Sequence, residues 1–216
     1  MEESKGGRWV AGATACGGAL AIGVAAGLPA GRALDRRIYR ALNGARGRGV
    51  DALFKSVTEL GSIWASVGAA LVVATAGRRK REALDAVGAA LAMWAVGQGL
   101  KRVFKRPRPY HALEQVRLLI AKPRGTSWPS SHPAVLHAFS TVLARDLGAD
   151  EVVKRRLSAL SGLAGVSRIY LGVHYPADVA GGLLLGRGVA DLWSAAVSPL
   201  VMRGLPTGST PGTVTP

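Results

Sequence analysis

Five cations occur within eight residues at positions 101–108, which read Lys-Arg-Val-Phe-Lys-Arg-Pro-Arg. Pro107 and Pro109 prevent a continuous helix through this segment, so Arg108 can turn back towards Lys101. Two cations placed in this way could bind one phosphate group. The alternative is that the cluster is a stop-transfer signal at a membrane interface.

A second candidate segment is Trp-Pro-Ser-Ser-His at positions 128–132, directly before an apolar run. This pattern predicts a helix N-terminus, where unpaired backbone N–H groups and the hydroxyls of Ser130 and Ser131 would bind an anion. His132 would then be placed to donate a proton. The alternative is that one of the serines is only an N-cap and His132 an interfacial histidine.

A third candidate segment, positions 167–178, contains Arg168, His174 and Asp178. Burying an arginine in an apolar segment costs free energy, so Arg168 is expected to have a charged partner or a functional role. His174 and Asp178 are four residues apart, and a carboxylate beside one imidazole nitrogen fixes the tautomer and makes the other nitrogen more nucleophilic. The alternative is a capping aspartate and an interfacial histidine.

Apolar runs separate these segments and must position them. The first run, 21 residues without a charge, is long enough to cross a bilayer at about 1.5 Å per residue. We predict an all-α polytopic membrane protein with about six transmembrane helices in a bundle, at residues 9–29, 60–77, 86–100, 132–144, 157–173 and 179–202. Consecutive spans alternate in direction, so all three candidate segments should lie at the same membrane face.

The remaining segments are predicted to be accessory. Residues 1–204 are expected to form a single domain, and residues 205–216, rich in Pro, Gly, Thr and Ser, a disordered tail. Residues 31–55 place Leu34, Ile38 and Leu42 four apart among arginines, which indicates an amphipathic helix on the bilayer surface. The first run could instead be a signal peptide, but it is long for one and lacks a good cleavage pattern.

Composition limits the class of protein. Of 216 residues only 19% are charged, against roughly 25% in soluble domains. Lys and Arg number 28 against 13 Asp and Glu, a net charge of +15, and they cluster between apolar blocks. This distribution favours membrane lipids over nucleic acid as the partner. Cys16, the single cysteine, excludes a disulfide framework and a cysteine zinc site.

Taken in order, the three segments carry a resemblance. The set Lys101-x6-Arg108-Pro109, then Pro129-Ser130-Ser131-His132, then Ser167-Arg168-x5-His174-x3-Asp178 closely resembles the three-part signature of the type 2 phosphatidic acid phosphatase superfamily. That superfamily includes membrane lipid phosphatases, soluble acid phosphatases and vanadium haloperoxidases. One position departs from the pattern, because Ser131 stands where the usual second motif has glycine.

The resemblance implies a role for each matched residue. His174 would be the nucleophile that forms a phosphohistidine, Asp178 would orient it, and His132 would protonate the leaving oxygen and later activate water. Ser167 would only pack or form a hydrogen bond. The resemblance implies no metal and no cofactor. The phosphate oxygens would be bound by Lys101, Arg108, Ser130, Ser131 and Arg168.

These expectations define a membrane hydrolase acting on a lipid phosphate or diphosphate: a polyprenyl diphosphate, phosphatidic acid or phosphatidylglycerol phosphate. One alternative is a soluble phosphatase of the same chemistry. The other is a non-enzymatic lipid-phosphate binder or transporter, which is suggested by Arg187 and Asp191. No protein partner is predicted.

The resemblance also implies a site on the outer face of the cell membrane. The positive-inside rule opposes that orientation, because it leaves 11 Lys and Arg in inner segments and 15 in outer ones.

Overall fold

A computed structural model describes residues 4–204, and the predicted disordered tail lies outside them. Within the described residues the chain is helical and contains no strand. The helices are α1 (Lys5–Ala25), α2 (Pro29–Leu42), α3 (Arg48–Glu59), α4 (Ile63–Thr75), α5 (Lys80–Phe104), α6 (Pro109–Ala112), α7 (Ser131–Asp146), α8 (Glu151–Tyr170), α9 (Pro176–Ala196) and α10 (Ser198–Gly204).

Helix α7 occupies the centre of the bundle and packs against α5, α8 and α9, while α1 packs along α9. The approach of α9 to α7 is close because of two glycines. A Cβ on Gly182 would lie 2.5 Å from the Ser130 carbonyl oxygen, and one on Gly186 would lie 2.4 Å from that of Ala134. These glycines therefore let the backbone at the start of α7 lie directly on α9.

Within residues 4–204, two stretches are long and apolar enough to cross a membrane, α1 and residues 80–112, which include α5 and α6. A third is present if α3 and α4, bent by 64° at their junction, are counted as one span. The predicted run 60–77 is shortened to α4, because the Ser62 hydroxyl caps the helix by accepting from the Ala65 amide. Thirteen residues are too short to cross a hydrocarbon core at about 1.5 Å each.

The amphipathic region differs from the single predicted helix. It forms two helices, α2 and α3, with a break that includes Gly47, whose φ of 93° is in the left-handed region. On α2, Leu34 and Ile38 are exposed, as the amphipathic pattern predicts. Asp35 and Tyr39 are buried against the bundle instead. Helix α2 is therefore anchored by a carboxylate as well as by apolar packing.

Arg187 and Asp191, the pair that suggested a transporter, lie one turn apart on α9. Arg187 Nε donates to Asp191 Oδ2 at 2.8 Å. The two charges neutralise each other within one helix, as i,i+4 pairs of opposite charge do.

Candidate active site

The three candidate segments converge at one end of the bundle, where α5 and α8 end and α7 and α9 begin. The Lys101 ammonium, in the last turn of α5, donates to the Ser131 hydroxyl at the start of α7, with Nζ and Oγ 2.9 Å apart. The Arg108 guanidinium lies against the ring of His174, with Nη1 and Nε2 3.1 Å apart. Residues from all three segments thus share one site.

His174 lies in the loop that joins α8 to α9. The loop turns at Gly172, which has a φ of 87°. The backbone amides of Val173 and His174 both donate to the Arg168 carbonyl. The ring is 2% exposed, and its Nδ1 lies 3.4 Å from Asp178 Oδ2. When Nδ1 donates to this carboxylate, Nε2 holds the free electron pair and faces Arg108.

The surroundings of His174 favour its neutral form. Burial lowers the pKa of this imidazole well below 6.5, and the nearby charges of Arg108, Arg168 and Lys101 lower it further. Burial disfavours an imidazolium ion, and neighbouring cations repel it. The ring is therefore neutral around pH 7, the form in which a nitrogen can act as a nucleophile.

Asp178 is fully buried at the third position of α9, where hydrogen bonds fix both of its oxygens. Oδ2 accepts from the Tyr175 amide at 2.8 Å and from the Ser127 hydroxyl, and Oδ1 accepts from Arg106 Nη1 at 2.8 Å. A carboxylate held in this way cannot rotate away from the imidazole. Asp178 is placed to orient His174.

The predicted phosphate-binding groups include polar atoms that lack partners. Arg168 Nη1 donates to the Thr58 hydroxyl at 2.9 Å, but its buried Nε has no hydrogen-bond partner within the described residues. The Ser130 hydroxyl is fully buried, makes no capping bond to α7 and also has no partner within residues 4–204. Buried polar groups are normally hydrogen-bonded, so these atoms indicate a site for a polar ligand.

His132 is the second residue of α7 and lies near Lys101, Arg108, Arg168 and His174. Its backbone is packed against the bend between α3 and α4. A Cβ on Gly61 would lie 2.7 Å from the His132 Cβ, so only glycine fits there. No hydrogen bond joins the His132 ring to another described residue. The ring is thus placed beside the cationic groups but is not held by them.

The site combines one neutral imidazole, a fixed carboxylate, a second imidazole and three cations. Such a set can attack a phosphorus atom, stabilise its negative oxygens and protonate a leaving group. In the part of the chain that the structure describes, no three His, Cys, Asp or Glu side chains are grouped as metal ligands would be.

Comparison with known proteins identifies the family of the chain. Residues 82–201, more than half of the chain, match the PAP2 superfamily. The chain belongs to this family. It is 37% identical over 115 residues to a Mycobacterium tuberculosis protein named decaprenylphosphoryl-5-phosphoribose phosphatase, covering 53% of this chain and 61% of that protein. The chain thus spans about three fifths of the length of this curated relative.

Three other known proteins are similar to the chain in sequence or fold. A Sulfolobus acidocaldarius undecaprenyl-diphosphatase is 32% identical over 104 residues, covering 45% of this chain and 46% of that protein. The crystal structure of Aquifex aeolicus LpxE aligns with a TM-score of 0.65 and 31% identity, covering 74% of this chain and 94% of that one. A Bacillus subtilis PAP2-type phosphatidylglycerolphosphate phosphatase shares the fold, with a TM-score of 0.72 at 22% identity, covering 85% of this chain and 94% of that one.

Ser131, which departs from the usual PAP2 motif, fits the helix without strain. It is the first residue of α7 and has ordinary helical geometry, so the position requires no glycine-like conformation. The hydroxyl is not crowded by α5, because even an added Cβ on Gly97 would lie 3.7 Å from Ser131 Oγ, an ordinary van der Waals distance. The serine supplies what glycine would not, an acceptor for the Lys101 ammonium.

Arg106 was missed in the sequence because it stands among other cations. Its guanidinium pairs with Asp178 on α9 and with Asp35 on α2, and lies 4.4 Å over the ring of Tyr175. Asp35 Oδ1 also accepts from the Ala177 amide at 2.9 Å in the first turn of α9. Asp35 is the only acidic residue among the arginines of α2. This position in the sequence could have indicated that Asp35 pairs with a cation of the site.

Thr58 and Ser127 were also missed, since neither stands in a recognisable motif. Thr58 is buried on α3 and fixes Arg168, which is 110 residues further along the chain. Ser127 precedes the second motif and fixes Asp178. Ser167, by contrast, forms the expected local hydrogen bond, donating to the Ala164 carbonyl at 2.6 Å.

Proposed function

We propose that the protein is a membrane phosphatase that hydrolyses a lipid phosphate or diphosphate through a phosphohistidine. The observation that carries this proposal is the buried imidazole of His174, held between Asp178 and the Arg108 guanidinium. Membership of the PAP2 superfamily and relatives named as phosphatases support it.

In the first step, Nε2 of His174 attacks phosphorus and the bond from phosphorus to the ester or anhydride oxygen breaks. Asp178 accepts a hydrogen bond from Nδ1–H of His174 and stabilises the positive charge that develops on the ring. The negative charge of the bound phosphate favours the protonated form of His132, which gives its proton to the leaving oxygen. The Arg108 guanidinium, which contacts His174 Nε2 in the free protein, donates hydrogen bonds to phosphate oxygens once the substrate is bound. The nonbridging oxygens are bound by Lys101, Arg108, Ser130, Ser131 and Arg168.

In the second step, His132, which has lost its proton, removes one from a water molecule. The water oxygen attacks phosphorus, the bond from phosphorus to His174 Nε2 breaks, and inorganic phosphate leaves. Both protein groups return to their starting states. The cations stabilise the negative charge in each step.

The substrate that we propose is a lipid, with a polyprenyl diphosphate placed ahead of phosphatidic acid and phosphatidylglycerol phosphate. The names of two relatives include a decaprenyl and an undecaprenyl group, which supports this order. We further propose that six segments cross the cell membrane, formed by α1, α3 with α4, α5, α7, α8 and α9. The site would face outwards, where a lipid carrier releases its cargo.

Phosphate release by purified protein in detergent, measured with EDTA present, tests the proposal. We expect turnover of at least one of these lipids, inhibition by vanadate as a phosphorane-like oxyanion, and complete loss of turnover in His174→Ala. His111→Ala is the matched control, because His111 is an exposed histidine on α6 at the same end of the bundle. Loss of activity on chelation would disprove the metal-free mechanism.

The role of His132 is tested with two leaving groups. His132→Ala should slow hydrolysis of an alkyl lipid phosphate much more than formation of the phosphohistidine from an activated aryl phosphate, which needs little protonation. Alkali-quenched single turnovers with labelled phosphate separate the two steps, because the bond from phosphorus to the histidine nitrogen survives in base. An equal loss on both substrates would contradict the general-acid role.

A further inference from the structure

A cavity of about 700 Å³ lies beside the active site but outside it. It is enclosed by the end of α1, the start of α2 and the end of α5. None of the proposed catalytic or phosphate-binding residues lines it. Its lining includes Val24, Val103, Arg32, Arg36, Lys105 and Arg106.

The lining has an apolar part and a cationic part. Val24, in the last turn of α1, and Val103, in the last turn of α5, are 61% and 73% exposed. Both helices belong to stretches that are apolar and long enough to cross a membrane. The cavity therefore continues an apolar surface of the kind that lipid chains cover.

The cationic part is provided by Arg32 and Arg36, one turn apart on α2, and by Lys105. No hydrogen bond or ion pair joins these three side chains to another described residue. Asp35, the nearest carboxylate in the sequence, is turned into the bundle, where it accepts from Arg106 and from the Ala177 amide. The charges that face the cavity are therefore uncompensated.

We infer that this cavity binds one anionic lipid of the surrounding membrane at a site separate from the active site. Its phosphate would lie between Arg32, Arg36 and Lys105, and one of its chains would lie against Val24 and Val103. Free phosphate would satisfy the cations only, whereas the adjoining apolar wall favours a ligand with a chain.

The bound lipid would not be the substrate in transit. The cavity is lined by Arg106, which is stacked over Tyr175 and paired with Asp178, and not by His174 or any of the phosphate-binding residues. A phosphate held at Arg32 and Arg36 is thus kept from the nucleophile. The site does not depend on the proposed phosphatase activity.

Lipid binding measured by native mass spectrometry tests this inference, with phosphatidylglycerol as the probe and phosphatidylcholine as the uncharged comparison. Phosphatidylglycerol is a phosphodiester and carries no terminal phosphate for the active site to remove. We expect Arg32→Gln/Arg36→Gln to weaken phosphatidylglycerol binding by at least about ten-fold, because each such cation contributes about 1 kcal/mol near an anionic lipid surface.

The matched control is Arg37→Gln/Arg40→Gln, which removes the same charge from exposed positions on the same helix that do not line the cavity. It should change binding by less than about two-fold, within the small effect of screened surface charge. Lys101→Met, in the active site, should leave phosphatidylglycerol binding intact. Equal losses in the two double variants would show general surface attraction and overturn the inference.

A second measurement does not depend on the arginine variants. Val103→Cys, with Cys16 replaced by alanine, should react with a maleimide in micelles of short-chain phosphatidylcholine and be protected when phosphatidylglycerol is added. Soluble glycerol phosphate at the same concentration should give no protection. Protection by glycerol phosphate would show a free-phosphate site, and no protection by phosphatidylglycerol would show that the lipid lies elsewhere; either result would overturn the inference.

Discussion

Arg106 joins three parts of the chain that are distant in sequence, and its removal should show how far the active site depends on this connection. The guanidinium pairs with Asp178 on α9 and Asp35 on α2. The Arg106 side chain is 12% exposed, and the two carboxylates are 0% and 5% exposed. Arg106→Gln would leave two buried carboxylates without their cation.

Removing one partner of a buried ion pair costs about 3–5 kcal/mol, because the other charge stays buried and uncompensated. Arg106 has some solvent access and both carboxylates keep backbone hydrogen bonds, so we expect the lower limit, about 3 kcal/mol of unfolding free energy. Arg102→Gln is the matched control. Arg102 is exposed in the last turn of α5, four residues before Arg106, and its loss should cost no more than about 0.5 kcal/mol.

Unfolding by sodium dodecyl sulfate in mixed micelles, followed by circular dichroism, measures this difference. Asp35→Asn in the Arg106→Gln background should recover part of the loss, because it removes one of the two uncompensated charges. Burial already raises the pKa of Asp35 above its ordinary value. Loss of Arg106 should raise it further.

A folded-state pKa above the unfolded value means that the folded protein binds the proton more tightly, so lowering the pH stabilises the fold. The deficit of Arg106→Gln should therefore shrink as the pH falls through the raised pKa. A deficit no larger than that of Arg102→Gln, or one that grows on acidification, would refute the ion-pair explanation.

Three further predictions concern the site and its orientation. Ser131→Ala should lower kcat/KM by about ten-fold, because Lys101 loses a charge-assisted hydrogen bond; unchanged kcat/KM in phosphate-release assays would mean that the hydroxyl does not position Lys101. ¹⁵N NMR of histidine-labelled free protein should find the His174 ring neutral at about pH 6, where an ordinary histidine is largely charged. His174→Ala assigns the signal, and a charged ring would contradict the effect of burial and cations. In a chain without Cys16, a cysteine at the exposed Ala112 should react with an impermeant maleimide in intact cells, whereas one at Ala76 should react only after lysis; the reverse pattern would place the site in the cytoplasm.

Sequence reasoning could bring the three motifs together because their positions follow from local rules. Pro107 ends α5 soon after Lys101, and the serines at 130 and 131 begin α7. The alternating direction of successive helices then places these ends on one side. Gly172 allows the sharp turn that brings His174 back to the end of α8.

The number of spans was harder to predict, because apolar composition does not locate helix ends. Residues 60–77 read as one run, yet Ser62 starts a new helix and leaves a 64° bend with α3. The bend brings Gly61 against His132, so it belongs to the structure of the site. A hydropathy profile shows neither the bend nor the contact between Gly61 and His132, since that contact depends on the absence of a side chain at Gly61.

Some contacts that support the site cannot be predicted from the three motifs. The match to the PAP2 superfamily begins at residue 82. Asp35 and Thr58 lie before that point, yet they fix Arg106 and Arg168 through bonds that span 71 and 110 residues. Each pairing depends on how α2 and α3 pack on the bundle, which no local pattern specifies. The matched segment supplies the reacting groups, while the helices before it hold two of the cations in place.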